Sequence, residues 1–179
     1  MKKIALLVLA ALYSFTPIQE KKITKTGTIS FEASISALEE VKGKNSTVTC
    51  ILNTSTGEIA TLALVKGFRF KVALMEEHFN ENYIESNKFP KATFKGKIEN
   101  FDISKITTNP KDYVIKGKLE LHGKSKEVTS IAKIKKNEAD IDIKTSFIVN
   151  VSDFDIQIPA AVSKKVSKKV TIDCNFLLK

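Results

Sequence analysis

From about residue 25 onward, apolar and polar residues alternate almost one for one, and this constrains the chain more than any other feature. Successive side chains of a strand point to opposite faces, so a period of two marks a sheet that is dry on one side and wet on the other. Ile29, Phe31, Ala33 and Ile35 share a phase against Thr28, Ser30, Glu32 and Ser34. Val48, Cys50 and Leu52 keep the same rhythm, as do Phe68, Phe70 and Val72 against Arg69 and Lys71. Ala92, Phe94, Gly96 and Ile98 oppose Lys91, Thr93, Lys95 and Lys97, and Tyr113, Ile115, Gly117, Leu119 and Leu121 oppose Lys116, Lys118 and Glu120. Near the end, Ile141, Ile143, Thr145, Phe147, Val149 and Val151 fall in one phase, and Val170, Ile172, Cys174 and Phe176 in another. Turn residues separate the runs: TSTG at 54–57, Asn109–Pro110, HGKSK at 122–126 and KKNEAD at 135–140.

One stretch breaks the rhythm. In ALMEEHFNENYIES, 73–86, Met75, Phe79 and Tyr83 lie four apart, as do Leu74 and His78. That spacing predicts a single short helix, ended before Pro90. About eight strands with one solvated face imply antiparallel pairing. Eight such strands can close on themselves, which removes exposed edges. The fold expected is therefore all-β: an eight-stranded antiparallel barrel with one short helix. A barrel of this size is either filled by its own side chains or holds one small ligand, and the alternation leaves both open.

Composition limits the functions such a barrel can serve. The chain has 179 residues, 42% hydrophobic and 27% charged, which suits one globular domain. Its formal charge is +9, yet only one of 29 basic residues is an arginine, Arg69. Arginine makes the bidentate contacts that read phosphates and guanines, so its near absence argues against nucleic acid as a partner. The segment KFPKATFKG, 88–96, mixes lysines with aromatic rings, as single-strand binders do. Strand geometry, however, sends its lysines and its rings to opposite faces. Lysine is a well-hydrated charge suited to a soluble exterior, and weak attraction to anionic lipid surfaces is the sharper alternative. The run SKKVSKK, 163–169, is the densest basic stretch and the place to look for it.

The N-terminus reads differently. Lys2 and Lys3 precede an apolar run, Ile4–Leu12, too short to span a bilayer. Residues 1–19 are expected to be a secretory signal peptide, leaving 20–179 as the barrel domain in a periplasm or outside the cell. In an oxidising compartment Cys50 and Cys174 either pair or serve as small buried hydrophobes. Metal or relay chemistry has little to work with, since His78 and His122 are the only histidines and no CxxC accompanies the cysteines. His122 opens a predicted turn. His78 lies on the helix, where it packs at the barrel mouth or touches a ligand head group. Asn45 and Asn53 each match the glycosylation acceptor pattern, a match common by chance.

Four ordered segments carry a family likeness: HFNENYIESNKFPKATFKGKI, YVIKGKLELHGKSKEVTSIAKI, FIVNVSDFDI and KVTIDCNFLL. Together they resemble the YceI-like family over roughly residues 25–179. The resemblance implies a lipocalin-like barrel that is secreted and carries a long isoprenoid chain, such as a polyprenyl phosphate or a quinone tail, without catalysis. It also implies that Phe68, Phe70, Phe94, Ile115, Leu119, Phe147 and Val149 line the ligand site, with Phe79 covering one end. A fatty-acid-derivative carrier is the alternative, as is a filled structural barrel acting through its lysine-rich exterior. No resident cofactor and no metal are expected. The partner is a small-molecule lipid, and a homodimer stays open.

Overall fold

The computed structural model describes residues 20–35 and 40–179. The expected signal peptide, 1–19, lies outside them. The strands are β1 (Lys21–Ser34), β2 (Lys42–Asn53), β3 (Glu58–Leu64), β4 (Arg69–Phe70), β5 (Lys91–Ile98), β6 (Lys111–Leu121), β7 (Lys124–Asn137), β8 (Asp140–Asn150) and β9 (Val166–Leu178), with helix α1 (Ala73–His78) after β4. Every pairing is antiparallel, and the order β1-β9-β8-β7-β6-β5-β3-β2 returns from β2 to β1. Eight long strands thus close a barrel. The two residues of β4 only extend its rim, pairing Phe70 with Gly43 and Arg69 with Lys44.

Register confirms which phase faces inward. Phe94 lies opposite Leu119, Gly96 opposite Gly117 and Ile98 opposite Ile115, while Lys95 and Lys97 face Lys118 and Lys116 on the outer wall. Like charges placed directly opposite are unfavourable, and Lys116 and Lys118 lean instead on Glu99 and Glu127. The facing glycines have a packing reason. A Cβ on Gly117 would strike the Lys95 carbonyl and lie 2.7 Å from Phe94 Cζ. The Phe94 ring therefore folds over two bare backbones and fills space that two side chains would otherwise take.

The two ends of the barrel differ. At the lower end, where β1 begins and β9 ends, Leu52, Ile98, Ile134, Ile141 and Leu178 are 0–2% exposed and form a solid plug, with Phe101 packed against it. Each such side chain contributes ~1.5–3 kcal/mol by leaving water. At the upper end lie α1, the β6–β7 hairpin and the β8–β9 connection. The hairpin turns on His122 and Gly123, with φ of 51° and 70°. Two residues at positive φ form the tight turn that matches strand twist.

Several local expectations are corrected here. The alternation over 66–74 predicts a strand, but the chain makes a 3-10 turn at Val65–Gly67 and is extended only through β4. Asn45 explains the turn. It is fully buried, its Nδ2 donates to the Leu64 carbonyl at 2.9 Å, and its Oδ1 accepts from Thr47. Gly67 must lack a side chain because a Cβ would come 2.5 Å from that amide. Asn45 is thus a turn anchor sealed from solvent, and Asn53 similarly accepts from the backbone of Ser55 and Thr56. Val72 and Ile35, assigned to the inward phase, are both exposed at the upper end. The helix is α-helical only to His78, then widens into a π turn at Phe79–Tyr83. Finally, β9 starts at Val166, so the basic run is half loop and half strand.

Candidate ligand-binding cavity

Above the plug the barrel is hollow. A cavity of about 430 Å³ occupies the upper half. Its floor includes Ile59, Ile115, Ile143, Cys174 and Phe176, and its walls are almost wholly hydrocarbon. Small side chains create the space. Thr61, Ala63, Ala92, Ser130 and Thr145 all line it, and Ala63 lies directly opposite Ala92 in the β3–β5 register. Lower down, the same inward phase carries isoleucine and leucine from nearly every strand, and the lumen closes.

All nine residues singled out from the sequence stand on this wall: Phe68, Phe70, His78, Phe79, Phe94, Ile115, Leu119, Phe147 and Val149. Phe79 does more than cover an end. It stacks on Phe31 at 5.2 Å between centroids and lies 5.1 Å from Phe70 and 5.8 Å from Phe68. Four rings from β1, the turn after β3, β4 and the π turn thus make one side of the upper wall. Phe79 and Tyr83, at the two ends of the π turn, both line the cavity. His78 lines the opening but stays exposed. Sequence reasoning did not single out Ile156, Ile158 and Val162 from the β8–β9 connection, which complete the rim. They lie in an irregular segment where no periodicity could flag them.

The helical cover is lightly attached. Helix α1 has no buried residue and no side-chain N-cap. Glu76 holds its base, accepting from Arg69 Nη1 at 2.9 Å and from the Phe70 amide at 3.1 Å. Beyond it, Asn80 Oδ1 is buried with no hydrogen-bond partner among the described residues. An element with few buried contacts is the first to open. Its far end is pinned by His122, which sequence reasoning treated as a turn residue alone. His122 Nδ1 donates to the Phe154 carbonyl at 2.8 Å, Nε2 lies 2.9 Å from Glu85 Oε2, and the Phe89 ring packs edge-on at 4.5 Å. One imidazole thereby joins the hairpin, the end of the helical segment and the β8–β9 connection. Close by, Lys124 pairs with Asp155 at 2.7 Å and holds that carboxyl below the usual carboxylate range.

Burial pushes the Cys174 thiol up to about 12, and the nearby Asp173 charge adds to it. Burial also raises Cys50, with Cys174 as a second cause, and raises the Tyr83 phenol. Both cysteines are free thiols and buried. Among the described residues no group of three or more acidic, histidine or cysteine side chains is placed to hold a metal. No helix among them is long and apolar enough to cross a membrane.

The family model of the YceI-like domain matches residues 21–178. The chain belongs to the YceI-like family. Solved structures agree on the fold. A polyisoprenoid binding domain from Saccharophagus degradans implicated in plant cell wall breakdown superposes with a TM-score of 0.73 at 12% identity, covering 89% of this chain and 97% of that one. Burkholderia cenocepacia BcnA superposes at 0.70 with 17% identity, covering 86% and 96%. A Campylobacter jejuni YCEI protein does so at 0.58 with 15% identity, covering 99% of both chains. A search of curated proteins gave no match. For this YceI-like barrel, identities so low speak to architecture, and ligand chemistry has to be argued from the cavity.

Proposed function

We propose that this YceI-like barrel binds a long apolar lipid of isoprenoid or polyprenyl type in its upper cavity, and that binding is its whole activity. The observation that carries this reading is the cavity itself. Its volume of about 430 Å³ falls within the ~300–1,000 Å³ of small-molecule sites. It is blind at the floor, dry along the walls and open at one rim. Such a shape suits a tail that enters lengthwise, with transfer from water worth ~0.8 kcal/mol per CH2 buried. The larger polar groups, His78, Tyr83 and Lys165, sit where a head group would emerge, and the wall below them carries only small hydroxyls such as Thr61, Ser130 and Thr145. Phe68, Phe70, Phe79, Phe94, Ile115, Leu119, Phe147 and Val149 then contact the tail. The likeness to a polyisoprenoid binding domain supports the ligand class.

A purely binding role draws support from Cys174. It is the one thiol on the wall, and burial keeps it protonated near neutral pH, whereas the thiolate is the nucleophile. The apolar leader read in residues 1–19 supports a site of action in the periplasm or outside the cell. Native mass spectrometry of protein purified from its own host tests the reading. A retained species with the mass of a polyprenyl or quinone lipid is expected. Protein that arrives empty and then rejects added isoprenoids would overturn it.

A further inference from the structure

The rim of the cavity is built oddly for a mouth that faces only water. Val72 and Leu74 line the opening, yet they are 46% and 56% exposed. The next residue back is the exposed Lys71. A second stretch of the rim runs through Ile158 and Val162 to the exposed Lys164, Lys165, Lys168 and Lys169. Between Asp155 and Asp173 the chain carries no carboxylate. Lys71, Lys164, Lys168 and Lys169 thus place four cations at the lip. Of the nearby carboxylates, Glu76 is engaged by Arg69, and the exposed Glu77, Glu81 and Glu40, the last beside the rim residue Val41, are fewer than the cations.

We propose that this lip is a docking surface for a lipid bilayer with anionic head groups. Val72 and Leu74 enter the interfacial zone while Lys71, Lys164, Lys168 and Lys169 engage the head groups, which holds the opening of the cavity against the membrane. Apolar side chains beside lysines are the composition of elements that lie in a bilayer interface. Continuity favours a bilayer over an acidic protein. The hydrocarbon wall of the cavity runs outward through Val72 and Leu74, and a hydrocarbon phase continues it where a polar protein surface does not. Docking needs no loaded cavity, so it stands or falls separately from the ligand reading.

The chain contains no tryptophan, so Leu74→Trp supplies a single reporter at the lip. Vesicles of phosphatidylcholine with and without phosphatidylglycerol are the probe. With the anionic vesicles the Leu74→Trp emission shifts to the blue and is quenched by brominated acyl chains. Ile131→Trp, on the outer wall at a position 61% exposed, does not respond. Independently of that reporter, flotation of Lys164→Gln/Lys168→Gln falls about 25-fold in partition coefficient, at roughly fivefold per lysine. Lys95→Gln/Lys97→Gln removes the same charge from the β5 wall and stays near wild type. An unshifted Leu74→Trp, or equal weakening by the two double variants, overturns the proposal. So does equal binding to neutral vesicles.

Discussion

Ser130→Phe provides a quantitative handle on the cavity. Ser130 lines the cavity from β7, opposite Ile115 on the floor. A cavity of about 430 Å³, at roughly 30 Å³ for each water-sized group, takes on the order of fifteen methylene-sized units of a tail. In wild type, affinity for a homologous series should therefore climb about fourfold per CH2 and level off near that length, ~0.8 kcal/mol being gained at each step. The phenyl group replaces one oxygen with six ring carbons, a net gain of five heavy atoms in the deepest part of the site. Five displaced tail carbons at ~0.8 kcal/mol each amount to ~4 kcal/mol, or on the order of a thousandfold in Kd for tails that reach the floor. Short tails that never reach Ser130 should bind as before, and the plateau should arrive about five carbons earlier. Displacement of a fluorescent apolar probe, measured across chain lengths, reads this directly. Thermal melting accompanies it, and filling an apolar void should leave Tm unchanged or raise it. A folded Ser130→Phe variant with the wild-type length profile would show that the tail does not occupy this cavity.

Three further outcomes test the structural account. Gly117→Ala drives a methyl into the Lys95 carbonyl and the Phe94 ring, and overpacking of this kind should cost ~1–3 kcal/mol in urea unfolding; an unchanged midpoint would contradict the close approach. His122→Ala removes partners from the Phe154 carbonyl and Glu85, for a loss of ~1–3 kcal/mol. Its amide exchange should quicken at 84–89 and 152–156 first, and uniform loosening would argue against a clasp. For the thiols, the folded Cys174 is raised from 9.0 to about 12 by burial, so between those values the unfolded chain ionises while the folded one holds its proton. Stability conferred by the buried thiol is complete below pH 9 and is lost as pH rises toward 12. The Cys50→Ala/Cys174→Ala variant should lose stability less steeply than wild type over that window; identical slopes would remove the thiols from the explanation.

The barrel was legible because its walls obey one simple rule. Lysines opposite lysines outside, and Phe94 with Leu119 inside, are what a period of two dictates once the strands pair. The candidate residues stand on the cavity wall for the same reason, since Phe94, Ile115 and Phe147 keep the inward phase and Phe79 the helical stripe. Whether the interior was full or hollow was not legible. That depends on Ala63 meeting Ala92, and on Ser130 and Thr145 sharing the upper half, which are facts of register between strands distant in sequence. The turn made by Asn45 and Gly67 was hidden for a related reason. A buried asparagine within a polar-looking run announces nothing until the Leu64 carbonyl is brought to it. The reach of His122 to Phe154 and Glu85 spans three segments and likewise has no local signal.

Electron density from crystals of protein purified from its own host, with no lipid added, is the most direct test of a tail-binding barrel. The account predicts a continuous tube that starts between His78 and Lys165, passes the Phe79 ring and stops above Ile59 and Phe176. Scattered waters in that space, or side chains collapsed into it, would contradict the claim that this barrel is built to hold a lipid.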